Sequence, residues 1–158
     1  DRLDRHAFHV AFNLDNTFRH LEDDRAALAH LRELAQVLRP DGVAVLGLQL
    51  TDYGGDVPDE DVWTGERDGS RAVQVVQYLP PAHSADRREQ VIAHVVVTSP
   101  GTPEQHLDTS YSLRTYDEAQ WSRLVRSSPF DLRHWYDFEG RPSDDAPYGY
   151  GFAVLRRR

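Results

Sequence analysis

The sequence contains no cysteine, no methionine and no lysine; all eighteen of its basic residues are arginine. Without cysteine there is no disulfide framework, no thiolate metal site and no cysteine nucleophile. Two further motifs are missing. No H-E-x-x-H or comparable histidine spacing marks a zinc site, so no bound metal is expected, although His6 with His9, or His94 with His106, could approach each other in the fold. No G-x-S-x-G elbow is present to present a serine nucleophile. No apolar run reaches the length that crosses a bilayer and no signal-peptide pattern is visible, so the expectation is a cytoplasmic protein without a membrane partner. Basic charge is also scarce: the formal net charge is −8 and the pI about 5.4. That balance argues against a nucleic-acid partner, which needs a clustered basic surface. The one dense basic run, Arg156, Arg157 and Arg158, reads as the solvated end of a final strand.

What is present fits one folded domain. A chain of 158 residues with 39% hydrophobic and 10% aromatic content is long and apolar enough to bury a core. It opens at Asp1, without methionine, and enters an apolar strand within a few residues. The expectation drawn from that opening is the C-terminal portion of something longer.

Residues 7–21, AFHVAFNLDNTFRHL, carry the strongest local signal. A short apolar run, residues 8–13, breaks abruptly into Asn13, Asp15, Asn16, Thr17 and His20. It is too short for a helix and reads as a largely buried strand, as in parallel sheets covered on both faces. Asn13 and Asn16 are the only asparagines in the chain. They are either working residues on a strand-end loop or ordinary turn residues that tolerate the left-handed region.

A helix follows over residues 24–38, with Ala27, Leu31, Leu34 and Leu38 at helical spacing and acidic residues at its positive end. Arg39-Pro40-Asp41-Gly42 stops it, and residues 43–50, VAVLGLQL, form a second buried strand. The result is a βαβ unit, whose ligands lie outside the carboxyl ends of its strands, here residues 13–17 and 51–56. Residues 52–70 read as a loop, a turn or mobile lid around Gly54-Gly55 and Trp63. Three strand-like segments, 72–79, 90–98 and 106–114, then suggest an antiparallel meander. Thr115-Tyr116-Asp117-Glu118 matches a capping box with Thr115 as N-cap, opening a helix that runs through Arg126. Residues 131–138 and 148–155 make a closing pair of strands around a polar loop.

This order of elements resembles the C-terminal half of a class I S-adenosylmethionine-dependent methyltransferase. Three pieces carry the resemblance: AFHVAFNLDNTFRHL as the fourth strand and its loop, AHLRELAQVLRPDGVAVLGL as the next helix and fifth strand, and SLRTYDEAQWSRLVRSSPFDLRHWYDF as the last helix and sixth strand. The family's first three strands, its glycine-rich cofactor loop and the acidic residue that holds the cofactor ribose have no counterpart in this sequence. The resemblance implies a partial Rossmann-like α/β fold, the second half of a doubly wound sheet with inserted antiparallel strands. Its parts would be residues 1–51 for the βαβ portion, 71–114 for the inserted strands and 115–158 for the closing helix and strand pair. It also implies S-adenosylmethionine as cofactor and methyl transfer to a small-molecule acceptor by a longer parent protein. Asn13 and Asn16 would then face the cofactor, and Asp15 and His20 would be the catalytic candidates, although His20 reads better as a residue tying down its loop than as a base. Trp63, Arg71, Tyr111 and Arg114 would contact the acceptor. In the family's strand order the first strand here would be a bare apolar edge, to be covered by the missing N-terminal half or by self-association. The alternative is a non-enzymatic module that binds a ligand or partner on the face of the meander.

Overall fold

The computed structural model describes residues 4–147 and 149–158. The chain divides into two compact units, one made of Asp1–Thr51 with Arg114–Arg158 and the other of Asp52–Leu113. In chain order the strands and helices are β1 (Phe8–Asn13), α1 (Asp24–Val37), β2 (Leu38–Gln49), β3 (Asp59–Arg67), β4 (Ser70–Leu79), β5 (Arg88–Thr98), β6 (Gln105–Arg114), α2 (Glu118–Arg126), β7 (Phe130–Asp137), β8 (Pro142–Ser143) and β9 (Tyr150–Arg157), with a 3-10 turn at Thr17–His20.

The first unit is built on a five-stranded sheet in the order β1-β2-β9-β7-β8. β1 and β2 run parallel, and the other neighbours are antiparallel. The Asp23 carboxylate caps α1 by accepting from the Ala26 N–H at 2.7 Å, and Asp24 adds negative charge to the first turn. The helix buries the stripe Ala27, Leu31 and Ala35. That stripe joins Ala44, Leu46 and Leu48 of β2, Ala153 and Leu155 of β9, and Phe18, Tyr116, Trp121 and Phe130 in one core.

β2 departs from the expected helix-turn-strand sequence. It begins at Leu38, which pairs with Phe8, and the next pair is Val43 with Val10. Residues 39–42 therefore bulge out opposite the single residue His9. Gly42 makes the bulge possible, because a Cβ there would lie 2.9 Å from the Arg39 carbonyl oxygen.

The expected burial of β1 is corrected. Phe8, Val10 and Phe12 are all exposed, Phe12 by 74%. β1 is the edge of its sheet, and only the Ala11 side packs on the core. A capping box does open α2, but one step later than expected: Asp117 is the N-cap, accepting from Gln120 N at 2.7 Å, while the Gln120 side chain accepts from Asp117 N at 3.0 Å. Thr115 is buried, and the Tyr116 carbonyl receives the Thr51 N–H at 2.8 Å, so this stretch is already committed to packing. The arginine run is not simply solvated. The Arg158 guanidinium donates to the carbonyls of Arg126, Ser128 and Phe130 at 2.9, 2.8 and 3.0 Å, satisfying acceptors left at the end of α2. The closing strands shift slightly from expectation, and Tyr148, the expected start of the last one, lies outside the described residues.

His30 sits on α1 against Phe18, with ring centroids 5.9 Å apart. Its Nε2 is buried without a hydrogen-bond partner, and this burial lowers its pKa. The unfolded chain therefore binds a proton at this site more readily than the folded chain. Stability contributed by neutral His30 is present above the ordinary histidine pKa of about 6.5 and is lost as the pH falls through the depressed value. Thermal unfolding followed from about pH 7 to about pH 5 is expected to show a falling midpoint, and His30→Leu should flatten that slope. An unchanged slope in the variant would contradict the assignment.

The second unit is a four-stranded sheet in the order β3-β4-β5-β6, antiparallel at β3–β4 and β4–β5. Its buried cluster is small: Val76, Val91, Ala93 and Leu113, with Tyr78 against them. Here the expected loop over residues 52–70 is corrected, since β3 occupies Asp59–Arg67 within it. Asp68 and Gly69, at φ 51° and 76°, form a two-residue turn of the type that joins antiparallel strands. β3 is exposed along its whole length, which is why its sequence shows no apolar alternation.

Candidate functional site

The candidate site lies at the carboxyl end of β1, and its shape is set by how residues 14–16 turn. Asp15 and Asn16 both take left-handed backbone angles, φ 55° and 57°, a conformation that Asn and Asp adopt more readily than other residues with a Cβ. Three hydrogen bonds tie the turn to β2 and to Tyr150 of β9. The Asn16 N–H donates to the Gly47 carbonyl at 3.1 Å, the Asn16 Oδ1 accepts from the Gln49 N–H at 2.8 Å, and the Asp15 N–H donates to the Tyr150 hydroxyl at 2.8 Å. Gly47 has no Cβ because the Tyr150 hydroxyl occupies that space. Burial raises the Tyr150 pKa; the Asp15 N–H acts against this, and the Asp15 charge adds to it. The phenol therefore stays protonated near neutral pH.

Behind the turn lies Arg19, which is only 2% exposed. Its Nε donates to the Arg114 carbonyl at 3.0 Å and its Nη1 reaches Asn16 Oδ1 at 3.4 Å. The Arg114 guanidinium in turn pairs with Asp24 at 3.2 Å. One buried arginine thus ties the loop after β1 to the chain entering α2, and Arg114 carries the tie on to the start of α1.

The residues singled out from sequence fall into three groups. Asn13, Asp15, Asn16 and His20 share the loop region. Asn13 ends β1, opposite Leu46, and its Oδ1 is buried without a hydrogen-bond partner. Asp15 and His20 are exposed, and the Asn16 amide oxygen is taken up in bracing. Arg114 is engaged in the brace. Trp63, Arg71 and Tyr111 belong to the second unit: Trp63 is half-exposed on β3, Arg71 pairs with Glu66 at 3.7 Å, and Tyr111 is exposed on β6. Sequence reasoning missed Arg19, Gly47 and Tyr150. Their signals were available only in pairing, since Gly47 and Tyr150 are brought together by the antiparallel register of β2 and β9.

An orphaned buried amide oxygen at a strand's carboxyl end, with a rigid left-handed loop beside it, suits a ligand that brings its own N–H or O–H donor. The fold around it is similar to that of solved S-adenosylmethionine-dependent methyltransferases. Solved structures sharing it include the sugar N-methyltransferase KedS8 from Streptoalloteichus sp ATCC 53650, with TM-score 0.74, 16% identity, and coverage of 96% of this chain and 57% of that one. CalS10, an amino pentose methyltransferase from Micromonospora echinaspora involved in calicheamicin biosynthesis and solved with S-adenosylmethionine bound, gives TM-score 0.73, 13% identity, and coverage of 96% and 59%. DesVI from Streptomyces venezuelae gives 0.72, 15%, and coverage of 93% and 58%. The chain therefore spans less than two-thirds of the length of these structures. No family model and no curated protein matches the sequence. Among the described residues no helix is long and apolar enough to cross a membrane.

Proposed function

We propose that this chain is the second half of a Rossmann-like, S-adenosylmethionine-dependent methyltransferase that methylates a small-molecule acceptor, with an amino sugar as the class to test first. The observation that carries the proposal is the unpartnered, buried Asn13 amide oxygen at the end of β1, in a chain whose fold matches sugar N-methyltransferases over nearly its whole length. When bound, S-adenosylmethionine supplies a methyl group on positively charged sulfur. Asn13 is the residue that would hold the cofactor, its oxygen accepting a hydrogen bond from a donor on the ligand. Asn16 acts on the pocket from behind, through its bonds to Gln49 and Arg19. Asp15 and His20 are exposed in the segment that follows β1, and a carboxylate or imidazole there would orient an acceptor amine and take up the proton it sheds. Trp63, Arg71 and Tyr111 are the proposed acceptor contacts on the inserted sheet, and Arg114 belongs with the braces.

The bare edge of β1 and its exposed Phe8, Val10 and Phe12 are where the rest of a cofactor site would attach, as an added parallel strand from a longer polypeptide or through a second copy. Calorimetric titration with S-adenosylhomocysteine tests the reading on this chain and on the chain extended upstream as its gene encodes it. The extended form is expected to bind, and Asn13→Ala to weaken binding about tenfold, the loss of one hydrogen bond to a charged or strongly polar donor. Binding by neither form would end the methyltransferase reading.

A further inference from the structure

A second cluster lies on the inserted sheet, where β5 and β6 are neighbours. His94 and His106 face each other with His94 Nε2 and His106 Nδ1 3.2 Å apart and ring centroids 5.3 Å apart. The outward nitrogen of each ring meets a carboxylate: His94 Nδ1 lies 2.5 Å from Asp108 Oδ1, and His106 Nε2 lies 3.1 Å from Glu104 Oε1. All four side chains are accessible to solvent, with His94 the least exposed at 40%.

Proton counting makes this row unusual. Three contacts link four groups, and each contact needs one hydrogen. Two neutral imidazoles carry one N–H apiece, and the carboxylates use both of them. The central nitrogens are then two lone pairs facing each other, a repulsive contact unless something positive sits between them. An extra proton would serve, and so would a metal ion. Two imidazole nitrogens bound to one tetrahedral ion at about 2.0–2.1 Å lie about 3.3 Å apart, close to the spacing here. Histidines that bind a metal usually donate their other N–H to a carboxylate, which fixes the tautomer and strengthens the ligand; both rings have that support. The electrostatic setting also favours a cation, because the unit formed by Asp52–Leu113 holds eleven acidic residues against four arginines.

We propose that His94 Nε2 and His106 Nδ1 form a two-histidine site for a borderline divalent metal ion such as Zn²⁺, with Asp108 and Glu104 orienting the rings. Among the described residues no group of three or more His, Cys, Asp or Glu is arranged to hold a metal, so the remaining coordination positions belong to water or an added ligand. The site is independent of the proposed methyl transfer.

Titrating the 158-residue chain with Zn²⁺ in a calorimeter tests the assignment. One equivalent is expected to bind, with His94→Gln and His106→Gln each weakening it at least tenfold. Asp108→Asn should weaken it by about the 10-fold or more typical of lost outer carboxylates. Circular dichroism checks that the variants keep their strands. If a variant does not, imidazole NMR shifts in the unaltered chain decide: Zn²⁺ shifting the His94 and His106 signals together supports the site. No uptake at about millimolar Zn²⁺, equal binding by the histidine variants, or shifts confined to other histidines would each overturn it, the first leaving a pair that shares only a proton.

Discussion

Replacing Trp121 with alanine is expected to abolish cooperative unfolding of the first unit. Trp121 is fully buried and meets three other rings: Phe18 and Tyr116 edge-on, at centroid distances of 5.7 and 5.9 Å, and Trp135 at 6.3 Å. Truncating a buried tryptophan costs about 3–5 kcal/mol, through lost transfer energy and the cavity left behind. Domains are commonly stable by only about 5–15 kcal/mol. A sheet that leaves one apolar edge strand in water belongs toward the low end of that range. The same side chain has a weak point, because its indole N–H is buried without a partner. Trp121→Phe keeps a ring in the cluster and removes that orphan donor, so it should cost clearly less than the alanine change. Urea unfolding followed by circular dichroism distinguishes the two. An alanine variant within about 1 kcal/mol of the parent would mean that the cluster does not hold the unit together.

The contrast between legible and hidden features follows from what local sequence records. The helix α1 was legible because Ala27, Leu31 and Leu34 recur at the helical period, and β2 because residues 43–50 form a short apolar run after a turn. β3 was hidden because an exposed strand has no reason to alternate. Its one available signal was Asp68-Gly69, a dipeptide suited to the left-handed turn that it makes. The exposure of β1 was misjudged because the residues themselves, Phe8, Val10 and Phe12, are those of a covered strand. Burial depends on a neighbour, and a sequence does not record whether the neighbour is there. The capping box was displaced because both Thr115 and Asp117 are capping residues, and packing around Thr115 and Tyr116 decided between them. Within the site, Asn13 and Asn16 stood out by rarity. Their different situations, one amide oxygen orphaned and the other fully used, arise from the β2 register and from Arg19, which local pattern does not reveal.

Arg19 is the residue whose loss should be felt most at the site itself. Removing its side chain with Arg19→Ala leaves the Arg114 carbonyl and one contact of the Asn16 amide oxygen without their donor, inside a region closed to water. Stranding buried acceptors costs about 1–3 kcal/mol each, and the aliphatic stem adds lost packing, so a loss of about 2–4 kcal/mol is expected. Arg19→Lys should recover little of it, because one ammonium on a flexible stem cannot reproduce two donors at fixed angles. The local consequence separates this role from ordinary core packing. With Arg19 gone, one of the two donors to the Asn16 amide oxygen is already lost and only the Gln49 N–H remains, so Asn16→Ala should cost less in the Arg19→Ala background than in the parent. A double-mutant cycle in urea is expected to show a coupling of about 0.5–3 kcal/mol. Strict additivity would show that Arg19 packs beside the turn without holding it, and the left-handed geometry of Asp15 and Asn16 would then rest on the bonds to Gly47, Gln49 and Tyr150.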